Sequence, residues 1–87
     1  MSRKVKLLYF ARLREALGVA QEELDVPADV ANVSELMAWL AARGGVWQQE
    51  FDGCRPVRAA INQELAANAE SFKAGDEVAF FPPVTGG

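Results

Sequence analysis

A single stretch of this chain carries a long helical period. Val33, Leu36, Met37 and Leu40 recur at i, i+3, i+4 and i+7, which puts them on one stripe. Asn32 stands before the stripe and Glu35 three residues on, the spacing of an N-cap and capping box. The pattern predicts a helix over 33–43, closed by Gly44-Gly45. An apolar stripe of this length must be covered, and the rest of the chain offers strands to cover it. The stripe itself is read as core, with no functional role.

The strands are legible by alternation. Residues 4–10 form the first, with Val5, Leu7 and Tyr9 on one face and Lys4, Lys6, Leu8 and Phe10 on the other. The second face is polar early and apolar late, which places Phe10 near a rim. A short helix is predicted over 11–17, with Leu13, Ala16 and Leu17 clustered and Gly18 as its stop. Over 21–26, Leu24 and Val26 alternate with Glu23 and Asp25, a half-buried strand that Pro27 ends. Residues 46–56 show no clear period; Trp47 and Phe51 are expected to pin them to the body, and Asp52-Gly53 marks a turn.

Val57, Ala59 and Ile61 share one face of a strand over 57–62. Residues 63–74 are low in β-branched residues and are expected to hold a turn, a short strand and a loop. After Gly75-Asp76 comes a last strand, with Val78 and Phe80 facing one way and Glu77, Ala79 and Phe81 the other. The acidic pairs Glu22-Glu23 and Asp76-Glu77 are read as solvated strand faces or turn residues. The resulting order is α+β: one mixed sheet packed on one main helix. A ferredoxin-like sandwich is the alternative, and it needs a second long helix that the sequence lacks.

Pro82-Pro83 then stop the last strand, because proline fixes φ and supplies no N–H. The chain is read as a domain over 1–81 and a flexible, reactive tail over 82–87. The tail is Pro82, Pro83, Val84, Thr85, Gly86 and Gly87. Without a Cβ, Gly86 and Gly87 can enter a narrow channel and leave the carboxylate of Gly87 open to a second protein.

Other chemistry is scarce. The chain has no histidine, so histidine bases and ligands are excluded. Cys54 is the single cysteine, and no nearby Cys or His gives it zinc-type spacing. It is read as structural or incidental, and no metal site is expected. The formal charge of −3, with both signs intermixed, argues against a nucleic-acid partner. A small chain without disulfides fits a reducing cytoplasm. No stretch approaches the roughly 20 apolar residues that span a membrane, so no membrane partner is expected.

The run Gly75-Asp76-Glu77-Val78-Ala79-Phe80-Phe81-Pro82-Pro83-Val84-Thr85-Gly86-Gly87 resembles the C-terminus of the molybdopterin synthase small subunits, a family of ubiquitin-like sulfur carriers. Leu8-Tyr9-Phe10-Ala11-Arg12-Leu13-Arg14-Glu15 and Ala59-Ala60-Ile61-Asn62-Gln63 extend the resemblance over essentially the whole chain. It implies a ubiquitin-like β-grasp fold, with the first and last strands side by side at the sheet centre. It implies that an adenylating activating enzyme uses ATP on Gly87 and that a sulfur donor protein then loads a thiocarboxylate. The loaded tail would enter the large subunit of molybdopterin synthase and give sulfur to cyclic pyranopterin monophosphate. Two carriers flanking a large-subunit dimer are the expected assembly.

The chain itself would bind no cofactor and would supply no catalytic side chain. Residues matching Phe10, Leu65 and Phe81 form, by the same resemblance, an apolar patch that meets the large subunit. Arg12 and Arg14 are further candidates for partner contact, Arg14 being taken with the patch. Two alternatives use the same tail. One is a ubiquitin-like modifier joined to lysines through Gly87; the other is a sulfur carrier of another pathway, such as thiamine synthesis.

Overall fold

Five strands and three helices make up the computed structural model, which describes residues 3–52 and 56–83. In chain order they are β1 (Arg3–Tyr9), α1 (Ala11–Leu17), β2 (Gln21–Val26), α2 (Val33–Ala41), α3 (Gly45–Phe51), β3 (Arg58–Ile61), β4 (Glu64–Ala66) and β5 (Glu77–Phe81). The sheet runs β2-β1-β5-β3-β4. β5 lies parallel to β1 and antiparallel to β3, so the first and last strands are neighbours, as expected. β2 and β4 are the edges, and acidic residues on β2 (Glu22, Glu23, Asp25) discourage pairing with another chain.

The core lies on one face of the sheet. Val5, Leu7 and Tyr9 of β1 and Val78 and Phe80 of β5 meet Leu13 of α1, Leu36 and Leu40 of α2 and Phe51 of α3. The alternation expected for β1 and β5 is observed, because each strand has one face under the helices.

The N-terminus of α2 is well satisfied. The Glu35 N–H donates to Asn32 Oδ1 at 2.8 Å, and the Ala31 N–H donates to Glu35 Oε1 at 2.8 Å. The Val33 and Ser34 N–H groups donate to the carbonyls of Glu70 and Asn68 at 3.1 and 2.9 Å. Loop carbonyls thus serve donors that a helix start leaves open.

Two expectations need correction. α2 ends at Ala41 rather than near residue 43, and a further helix, α3, follows at once. Gly44-Gly45 therefore joins two helices instead of closing one; Gly44 takes φ 79°, ψ −178°, a conformation essentially confined to glycine. The acidic pairs are also less solvated than expected. Asp76 is buried, accepting from the Lys73 N–H at 2.9 Å and from Asn62 Nδ2 at 3.1 Å. Glu22 is half-buried and tied to Tyr9 and Arg43. Cys54 and Gly53 lie outside the described residues.

Candidate functional site

The open face of the sheet, opposite the helices, carries two kinds of surface. At one end charges face each other across strands: Lys4 opposite Asp25, and Lys6 opposite both Glu23 and Glu77. Toward the other end the surface becomes apolar. Leu8 of β1, Ala79 of β5, Ala60 of β3 and Leu65 of β4 form one row across the sheet.

The two alanines in that row make a low floor. Taller side chains stand around it, and the result is a hollow of about 460 Å³ lined by Leu8, Phe10, Ala60, Leu65, Ala79 and Phe81, with Gln63 and Glu77 at its polar side. Leu65 is 66% exposed and Phe10 47%, the two large apolar residues left open to solvent among the described residues. Phe81 is half-buried. Exposed apolar surface gathered into one concavity is the form a protein docking site takes.

Local backbone geometry places each wall. Phe10 is still extended at φ −123°, ψ 157°, so its side chain continues the outward alternation of Lys6 and Leu8. Ala11 then adopts φ 54° and turns the chain into α1. A left-handed alanine costs roughly 1–2 kcal/mol, so this corner is held by its surroundings: the Phe10 N–H donates to the Phe80 carbonyl at 3.1 Å. Leu65 is placed by a two-residue hairpin turn, Asn62-Gln63, in which both residues have positive φ. The Asn62 side chain anchors that turn, accepting from the Glu77 N–H at 3.0 Å.

The sequence-derived candidates distribute as follows. Phe10, Leu65 and Phe81 come together in the hollow. Pro82 and Pro83 follow directly, and Pro83 lines a cleft of about 230 Å³ with Arg58, Leu65 and Phe81. Pro83 therefore lies at the edge of the hollow, beside two of its lining residues. Arg14 does not line the hollow; it is exposed on α1. Arg12 lies 3.5 Å from the buried carboxylate of Glu50. Val84, Thr85, Gly86 and Gly87 fall outside the described residues.

Sequence reasoning passed over the floor residues Ala60 and Ala79 and the cation Arg58. Strand parity was the available signal, since each shares the outward face with Phe81 or Leu65. Among the described residues no group of three or more Cys, Asp or Glu side chains is placed to hold a metal ion, and no helix is long and apolar enough to cross a membrane.

The model of the ThiS family matches residues 7–87. The chain belongs to the ThiS family. The molybdopterin synthase sulfur carrier subunit of Escherichia coli is 40% identical over 83 residues, covering 95% of this chain and 99% of its own. The crystal structure of small archaeal modifier protein 1 of Haloferax volcanii superposes with a TM-score of 0.75 at 30% identity, over 94% of this chain and 99% of that one. A Caldiarchaeum subterraneum ubiquitin shares the fold alone, with a TM-score of 0.60 at 18% identity over the full length of both chains. This ThiS-family chain is thus a ubiquitin-like β-grasp, as its sequence implied.

Proposed function

We propose that this chain is the sulfur carrier subunit of a molybdopterin synthase, with Gly87 as its reacting residue. The observation that carries the reading is the apolar hollow of Phe10, Leu65 and Phe81, from whose edge the Pro82-Pro83 segment leads toward Gly86-Gly87. A carrier needs a surface that docks and a tail that reaches, and Pro83, at the root of the proposed tail, lies beside that surface. The likeness to the E. coli sulfur carrier subunit over nearly the whole of both chains supports the same reading.

The chemistry follows from the poor leaving group of a carboxylate. An oxygen of the Gly87 carboxylate attacks ATP on an activating enzyme, pyrophosphate leaves, and the acyl group becomes a mixed anhydride with AMP. Sulfur at the oxidation level of sulfide, delivered by a donor protein, displaces AMP, so that a C–O bond is exchanged for C–S. The thiocarboxylate is a strong nucleophile at neutral pH: within the large subunit its sulfur attacks a carbon of cyclic pyranopterin monophosphate and displaces an oxygen there. Water then cleaves the resulting Gly87 thioester, leaving sulfur on the substrate and restoring the carboxylate. ATP is consumed on the activating enzyme, and a cytoplasmic cycle fits a small chain whose single cysteine can form no internal disulfide. The carrier contributes position, and its partners contribute the catalytic side chains.

Intact mass and C-terminal fragmentation test this after incubation with an activating enzyme, ATP and a sulfur donor. The expected result is an oxygen-to-sulfur exchange on Gly87 that requires ATP. One oxidation of Met1, Met37 or Cys54 gives nearly the same mass, so the fragment must locate the change. An unaltered Gly87, beside a known carrier that is converted in the same mixture, removes the reading. The likeness to an archaeal modifier protein supports a second reading, in which Gly87 is joined to lysine. An isopeptide-linked Gly87 in the fragment spectra would select it.

A further inference from the structure

The open face of the sheet carries a cation that no carboxylate of the described residues balances. Lys4 and Lys6 stand across from carboxylates, at the charged end. Arg58 does not. It lies opposite Phe81 across β3 and β5, it is exposed, and no carboxylate of the described residues lies within ion-pair distance of it. Its immediate company is apolar: Leu65, Phe81 and Pro83 line a cleft of about 230 Å³ with it. On its other side a shallow cleft of about 450 Å³ runs along Val57, Arg58 and Leu65 to Asn68. Leu65 stands as a ridge shared by both clefts and by the docking hollow.

We infer that Arg58 is the ionic specificity contact of the docking face, receiving a carboxylate from the protein that fills the hollow. The inference rests on the docking reading above. When a partner covers Phe10, Leu65 and Phe81, it also covers the rim cleft and strips water from the guanidinium. An uncompensated charge there opposes binding, whereas a carboxylate meets the planar donor fork in two hydrogen bonds. A single cation on a chain of net charge −3 is too little to hold a phosphate polymer, so the complementary group is a side-chain carboxylate of a protein. The pair would fix how the carrier sits in rotation about the hollow, and so where the tail root at Pro83 points.

The test compares wild type, Arg58→Gln, Arg58→Glu and Phe81→Ala for binding to the molybdopterin synthase large subunit from the same genome, at low and high salt. Rim charges act mainly through association rate and salt sensitivity. Arg58→Gln is expected to bind about threefold to tenfold more weakly at low salt and to approach wild type at high salt. Arg58→Glu should bind more weakly still, and Phe81→Ala should be weaker at both salts. Since Arg58 is exposed and has no ion pair among the described residues, its variants should keep the wild-type unfolding midpoint.

If Arg58→Gln and Arg58→Glu bind as wild type while Phe81→Ala is weakened, the docking reading stands and the ionic contact is wrong. Equal weakening of the two arginine variants at every salt concentration would also overturn it, because that marks packing of the side-chain stem. If wild type fails to bind, or Phe81→Ala binds unchanged, the docking reading falls and takes this inference with it.

Discussion

Tyr9 shows how one side chain joins four elements. Its hydroxyl donates to Glu22 Oε2 on β2 at 2.8 Å. Arg43, just past α2, donates to the same carboxylate, with Nη1 at 3.0 Å from Oε2 and Nη2 at 3.4 Å from Oε1. The Arg43 guanidinium lies 4.2 Å from the centroid of Trp47 on α3, and Trp47 meets the Tyr9 ring edge-on at 5.4 Å. Burial pushes the Tyr9 phenol well above its ordinary value of 10.0, and the hydrogen bond to Glu22 adds to the rise. The folded protein therefore holds this proton after the unfolded chain has released it. The stabilisation is whole below pH 10.0 and is lost as pH rises past it. Tyr9→Phe is expected to cost about 1 kcal/mol at neutral pH and to lose stability less steeply above about pH 10. Urea unfolding of both proteins at about pH 7 and about pH 11 checks this, and parallel losses would refute it. At the hairpin turn, Gln63 has φ 73°, where glycine is preferred. Gln63→Gly is expected to gain roughly 0.5–1 kcal/mol, read from the same denaturation curves.

Among the elements, the helices divide into those the sequence announces and one it does not. α1, β2 and the N-cap of α2 fall where their stop and cap residues predict, because Gly18, Pro27 and Asn32 act on the backbone locally. α3 was missed, although Trp47 and Phe51 stand at helical spacing on it. It has no capping side chain, it begins at a glycine, and it is held by tertiary contact with the Tyr9 and Phe80 rings. The parallel pairing of β1 with β5 was likewise beyond periodicity, which reports faces and not neighbours; the family resemblance supplied it. Of the candidate site, Phe10 and Phe81 were legible by strand parity, but their meeting with Leu65 depends on that pairing. Gly44 is the test of the α2–α3 junction. A Cβ there would meet no atom within 4 Å, so Gly44→Ala isolates the backbone cost. A loss of about 1–3 kcal/mol is expected from its φ of 79°, and a neutral result in thermal or urea unfolding would show the junction to be adaptable.

The whole molecule keeps its two faces distinct: the helix face holds the core, and the open face carries the apolar hollow proposed for docking. Substitutions should respect that division. Phe80→Ala removes a ring packed against Tyr9 and Phe51 and should cost about 3–5 kcal/mol, a large share of the roughly 5–15 kcal/mol such a domain has. Ala60→Leu instead raises the floor of the hollow on the far side of the sheet. It should leave the unfolding midpoint within a few degrees of wild type and weaken large-subunit binding roughly tenfold or more. Paired thermal unfolding and binding measurements would show the two effects dissociating; a fall in both would place Ala60 in the stabilising body.

β5 is bonded on both edges, to β1 and to β3, and the Pro82-Pro83 segment continues directly from it. A pull on that segment runs along the strand axis, while the ladder bonds lie across it. Such a load is shared by both ladders in shear, instead of opening them one bond at a time. The Pro82-Pro83 end of β5 is thereby braced against traction along the strand, the load that the proposed tail would transmit to the body.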